Sequence, residues 1–180
     1  MTETNDFIVP PRRWAEIGGI ADNLRHRLGL SEEPRVPVIE IIEQVLDQRL
    51  GLVRFEVGSK QEMGSAEGYT CPNGEFIRLR EDVYSGVCAG DGRPRFTAAH
   101  ELGHWAMHTN IPLARARRGD GTPSYRLAEP QANQFAAEFL MPECFIDALD
   151  DEDDLIQRFG VSWEAARNRL RYVRKNGRLK

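Results

Sequence analysis

Cysteine is scarce and unpaired in this sequence. Cys71, Cys88 and Cys144 are the three present, and no two form a C-x-x-C pair. That argues against a disulfide framework and a four-cysteine zinc site, and it fits a reducing compartment. Long apolar runs are missing too: no stretch approaches a membrane span. The lead-in Met1–Arg13 is polar and proline-bearing and lacks the apolar centre of a secretory signal. The expectation is a cytoplasmic protein. There is no surplus of positive charge either. The net charge is −4, so the whole molecule is not an obvious nucleic-acid binder. The average hides a split. Residues 155–180 hold eight basic residues against the single acid Glu164, a local +7 that leaves −11 for the rest. What remains is an ordinary globular balance. The 180 residues are 41% hydrophobic and 29% charged, enough for one domain with a proper core and a small appendage.

Histidine is also rare, and its placement is informative. Three of the four histidines fall between His100 and His108. His100-Glu101-Leu102-Gly103-His104 is the pattern of zinc peptidases, and it has a mechanism if it lies on a helix. At about 3.6 residues per turn, His100 and His104 project from one face roughly 6 Å apart along the axis. Two imidazoles so placed can share a tetrahedral Zn²⁺. Glu101 is rotated about 100° away and flanks the metal, as a general base acting on water there would. No proline interrupts residues 95–108, and Phe96, Ala99, Leu102, Gly103 and Ala106 make an apolar stripe for the core. The alternative, two surface histidines meeting by accident, sits badly with so much imidazole on a hydrophobic helix.

In chain order, periodicity predicts a helix from Trp14 to Leu28 and a second from Pro37 to about Arg49, closed by Gly51. Strands are expected at Leu52–Val57, Ala66–Thr70 and Glu75–Arg80, the last after a Cys71-Pro72-Asn73-Gly74 turn. Together they read as a small antiparallel sheet. Ser85–Pro94 reads as a glycine-rich loop, Arg95–His108 as the motif helix and Asn110–Leu127 as a loop beside the cleft. Ala128–Leu140 follows as a helix with Pro130 in its first turn. Asp147–Asp154 is an acidic, solvated turn. The fold class expected is α+β, with helices on that sheet. The chain divides into a domain at 1–150 and a C-terminal helical segment at 151–180.

A catalytic zinc needs a third protein ligand and one open position. His108 lies about 12 Å from His100 along the helix, too far for one ion. Its role is structural, behind a ligand, or at the cleft rim. Glu129 opens the next helix and completes a two-histidine, one-glutamate set. Taken alone it reads better as a favourable acid at a helix N-terminus, and the two histidines tip it toward a ligand. Asn133, one turn on, can hold the tautomer of a ligand histidine. Glu138 belongs to another face, expected to be in solvent. The oxyanion or cleft candidates, by residue type alone, are Tyr125, Arg126, His108 and Tyr69.

The first motif, preceded by Arg95-Phe96-Thr97, is followed downstream by a second block. That block is Glu129-x-Gln131-Ala132-Asn133-x-Phe135-Ala136-Ala137-x-x-Leu140-Met141-Pro142. Together they resemble the ImmA/IrrE family of metallopeptidases, over residues 15–175 and most strongly over 94–142. The resemblance implies a gluzincin-like fold, and Zn²⁺ held by His100, His104 and Glu129 with Glu101 as base. The same ligands also suit Mn²⁺ or Fe²⁺. It implies a protein substrate, a helix-turn-helix repressor or antitoxin, cut to release a stress, mobile-element or prophage regulon. Pro130 departs from the family pattern at a position where a first turn tolerates proline.

Residues 154–170 read as helix, glycine turn, Ser162 cap and helix, the grammar of a helix-turn-helix in which Arg167, Arg169 and Arg171 could meet phosphates. Two readings follow: a hairpin packed on the peptidase, or a DNA- or partner-binding regulator with a non-catalytic zinc site. The intact Glu101 and three-ligand count favour the enzyme, because a structural zinc needs no base and is usually closed by four ligands.

Overall fold

The computed structural model describes residues 6–116 and 121–176. In chain order the elements are β1 (Phe7–Ile8), α1 (Trp14–Arg27), α2 (Val38–Glu40), β2 (Arg54–Gly58), α3 (Lys60–Met63) and β3 (Gly68–Thr70). Then come β4 (Phe76–Arg80), α4 (Glu81–Ala89), α5 (Gly92–His108), β5 (Ala114–Arg115), α6 (Ala128–Leu140), α7 (Glu152–Phe159) and α8 (Trp163–Lys175). α2 runs directly into a segment wound as a π-helix, Ile41–Arg49, that buries Ile41, Ile42 and Leu46. Among the described residues no helix is long and apolar enough to cross a membrane.

The architecture is α+β, as expected, with a short sheet against the helices. The pairing within the sheet differs from the antiparallel expectation. The order is β2-β4-β3; β3 is antiparallel to β4, but β2 is parallel to β4. The reason lies in the connection. After β2 the chain crosses through α3 and returns along β3, so β4 starts from the same end as β2. Parallel neighbours require a crossover of this kind, whereas the Cys71–Gly74 turn joins β3 and β4 as a simple hairpin. β3 is thereby an edge strand.

The stretch expected to be a loop at 85–94 is largely helical. α4 buries Val83 and Val87 and ends at Gly90, which takes the left-handed conformation of a C-cap (φ 87°). α5 then begins at Gly92, three residues earlier than expected, with Pro94 in its first turn. A Cβ on Gly92 would lie 2.2 Å from the backbone carbon of Val161, so the turn between α7 and α8 sits directly on the start of the motif helix. Arg95, buried, fastens that turn: its guanidinium donates to the carbonyls of Gly160 (3.0 Å) and Val36 (2.8 Å).

α5 packs along α6, and α1 covers another side of α6. The crossing of α5 and α6 depends on a small residue inside the motif. A Cβ on Gly103 would stand 2.9 Å from Cδ1 of Phe135, so any larger residue forces the two helices apart. α7 and α8 share the core of the other helices through Leu155, Phe159, Leu170 and Val173. Glu138, expected in solvent, is buried instead. It accepts from Arg169 Nη2 at 2.6 Å, while Arg169 Nε donates to the Met141 carbonyl at 2.9 Å. The helical period places Glu138 on a flank that α8 then covers, which the period alone does not reveal. Arg169, read as a phosphate contact, is buried in this pair and unavailable to one.

Breaking a buried pair leaves an uncompensated charge. Arg169→Met is expected to cost about 3–5 kcal/mol in urea unfolding, and the double variant Glu138→Leu/Arg169→Met to recover most of that loss.

Candidate metal centre

The motif lies wholly within α5, so His100 and His104 project from one face. α6 starts at Ala128, which puts Glu129 in its first turn. Its N-terminus is held by the incoming chain: the Glu129 amide donates to Asp6 Oδ1 at 3.1 Å, and β1 pairs with β5 and bridges to Leu127. Pro130 falls in the same first turn, where a missing N–H costs little.

The three side chains converge. The two Nε2 atoms are 2.9 Å apart. Glu129 Oε2 lies 3.2 Å from that of His100, and Oε1 lies 3.3 Å from that of His104. One donor atom from each residue falls within 4.8 Å of the others. Three electron-pair donors crowded around one point are a cradle for a cation, and two imidazoles with a carboxylate suit a divalent transition metal. Residues His100, His104 and Glu129 could therefore hold a metal ion. Contact with both imidazoles also holds the Glu129 carboxyl well below the usual carboxylate range.

Glu101 stands beside this group and is held from the sheet. Thr70 Oγ1 donates to Glu101 Oε2 at 2.7 Å. β3 approaches so closely that a Cβ on Gly68 would lie 2.6 Å from Glu101 Cγ and Oε1. Burial pushes the Glu101 carboxyl up, against the pull of the two imidazoles. Gly68 and Thr70 were not singled out in the sequence; the weak strand signal at 66–70 carries no hint that it clamps a carboxylate.

Asn133 Oδ1 lies 3.0 Å from His100 Nδ1. His108 is buried behind His104. Its Nδ1 lies 3.0 Å from His104 Nδ1 and its Nε2 lies 3.0 Å from Gln131 Oε1, and burial pushes its pKa down to about 4. Gln131, fully buried, is a third residue to which the sequence assigned no role. The signal for it was a polar side chain on the apolar side of α6.

A cleft of about 920 Å³ opens onto this face. Its walls include Gly68 of β3, Arg93, Phe96, His100 and Glu101 of α5, and Glu129, Asn133 and Ala137 of α6. Trp14, the Ser162 cap and α8 residues from Glu164 to Tyr172 close the far side. The oxyanion candidates read by type are not on these walls. Tyr125 is half exposed over a separate hollow beside Pro11 and Trp14. Arg126 is exposed in a short turn, its carbonyl bound to Val9. Tyr69 alternates with Gly68 along β3, points elsewhere, and packs on Phe76 at 5.8 Å. His108 faces the core.

A family model for the IrrE N-terminal-like domain, peptidase M78, matches residues 47–171. The chain belongs to that family. The match takes in the peptidase M78 motif helix, α6, α7 and most of α8. No curated protein matches the chain. Among solved structures, a Mycobacterium tuberculosis transcriptional regulator is similar, with a TM-score of 0.55 at 18% identity over 84% of this chain. That likeness is one of fold, and the chain spans 45% of the regulator's length.

Glu129→Ala is expected to weaken Zn²⁺ binding, measured by equilibrium dialysis, by more than the roughly 10–100-fold typical of losing an outer partner of a ligand. Tyr125→Phe is expected to leave it unchanged.

Proposed function

We propose that this protein is a zinc metalloendopeptidase that hydrolyses a peptide bond in a partner protein, a helix-turn-helix repressor or antitoxin. The observation that carries the reading is the convergence of His100, His104 and Glu129 beside Glu101, on the wall of an open cleft. Three ligands leave a tetrahedral ion one open position, and a base beside that position has no purpose in a structural site. Zinc bound there would supply Lewis acidity, polarising a carbonyl and acidifying water. Mn²⁺ or Fe²⁺ suit the same donors.

The chain's own residues do the rest. Glu101 Oε1 or Oε2 takes a proton from the attacking water and returns it to the departing amine. Thr70 and the backbone at Gly68 keep that carboxylate aimed, so it loses little freedom as it works. β3 borders the cleft with one edge unpaired among the described residues, and an extended peptide can add to such an edge through main-chain hydrogen bonds. α8 closes the opposite side, which makes the C-terminal segment a working wall of the peptidase. Its basic residues are partly committed within the fold: Arg158 pairs with Asp150 and Arg174 donates to the Asp150 carbonyl. Arg178 and Lys180 lie outside the described residues.

A second reading, a DNA- or partner-binding regulator, draws on the printed name of the similar regulator structure and on the exposed Arg167 and Arg171. Wild-type protein that cuts no repressor and retards DNA in a gel would favour it. On the peptidase reading, Glu101→Gln retains its zinc and loses cleavage of a co-expressed repressor by about 10²–10⁴-fold, the typical weight of a general base. Repressor cut at the wild-type rate by that variant overturns the mechanism. Gly68→Ala, which drives a methyl into the Glu101 side chain, is expected to lower the cleavage rate while zinc content, measured by atomic absorption, stays at wild type.

A further inference from the structure

Two buried polar side chains, His108 and Gln131, have no part in the mechanism above, although the first is 5% exposed and the second not at all. Both stand where an apolar residue would be easier to accommodate. Their hydrogen bonds have a fixed sense. Gln131 Nε2 lies 3.0 Å from the Pro10 carbonyl and 2.8 Å from the Tyr125 carbonyl. A carbonyl can only accept, so both amide hydrogens of Gln131 are donated to them, and its Oε1 must face the other way. Oε1 carries no hydrogen, so His108 Nε2–H donates to it across 3.0 Å. A neutral imidazole has one N–H, which leaves His108 Nδ1 as a bare acceptor. The partner of that atom, 3.0 Å away, is His104 Nδ1, which must then carry the hydrogen. His104 Nε2 is left with its lone pair, and this is the atom that faces His100 Nε2 and Glu129.

We propose that His108 and Gln131 are positioning residues. On this reading a one-way relay, from the carbonyls of Pro10 and Tyr125 through Gln131 and His108, sets the tautomer of His104 and presents its Nε2 lone pair to a metal ion. The segment before α1 is thus part of the metal centre although it touches no ligand side chain through the relay except by way of Gln131. His100 receives the equivalent help from Asn133, one step deep. The proposal rests on the assignment of His104 as a ligand and not on any substrate.

The test is the Zn²⁺ dissociation constant, by competition with a chromophoric chelator, for wild type, His108→Phe and Gln131→Met. Unfolding by urea in the presence of EDTA reports the metal-free stability of each. The expected result is affinity about 10–100-fold weaker in both variants, with metal-free stability retained. Wild-type affinity in both variants overturns the relay. Should either variant fail to fold, metal-free wild type decides: long-range ¹H–¹⁵N correlations are expected to show His104 protonated on Nδ1 and His108 on Nε2. His104 protonated on Nε2 overturns the proposal. Neither readout depends on cleavage, so an inactive Glu101 mechanism and a failed relay give different results.

Discussion

The closeness of α5 and α6 is the constraint on which the rest depends. Gly103 gives the ring of Phe135 room to lie against the motif helix, and that contact sets how far Glu129 stands from His100 and His104. Metal donors must meet within a few tenths of an ångström, and a methyl group at the crossing would press on the Phe135 ring and strain that spacing. The glycine between the two histidines is therefore a spacing element that lets the three donor side chains come together.

Around that crossing the fold supplies a frame from three directions. The sheet brings Thr70 and Gly68 against Glu101. The chain before α1 caps the start of α6 through Asp6 and reaches Gln131 through the Pro10 carbonyl. The α7–α8 turn rests on Gly92 and is held by Arg95, while Arg169 locks α8 to α6 through Glu138. None of these contacts lies between neighbours in sequence. The candidate centre draws its donor side chains from two helices and its support from the whole fold.

That division explains how much could be read from the residues alone. His100, Glu101 and His104 were legible because their spacing maps directly onto one helix face. The placement of Glu129 and Asn133 beside that pair was legible because they lie one turn apart at the start of the next helix with an acid in its first turn. β2 beside β4 was misjudged because strand direction depends on the path of the intervening chain, and composition does not record that path. α4 was missed because Gly86, Gly90 and Gly92 look like a loop, although Gly90 ends one helix and Gly92 allows close packing at the start of the next. Glu138 was misplaced because a charge that faces solvent on an isolated helix becomes interior when another element covers it. Tyr125, Tyr69 and Arg126, named from type alone, do not line the cleft beside Glu101, and residue type says nothing of which wall a side chain occupies.

The dependence of the motif helix on the α7–α8 turn also bears on synthesis. Ribosomes deliver the chain from its N-terminus, so the histidine pair emerges before Val161, Arg169 and the far wall of the cleft exist. During that interval Gly92 has nothing seated on it and Arg95 lacks the Gly160 carbonyl. A half-made chain cannot present a finished groove to its neighbours on the polysome.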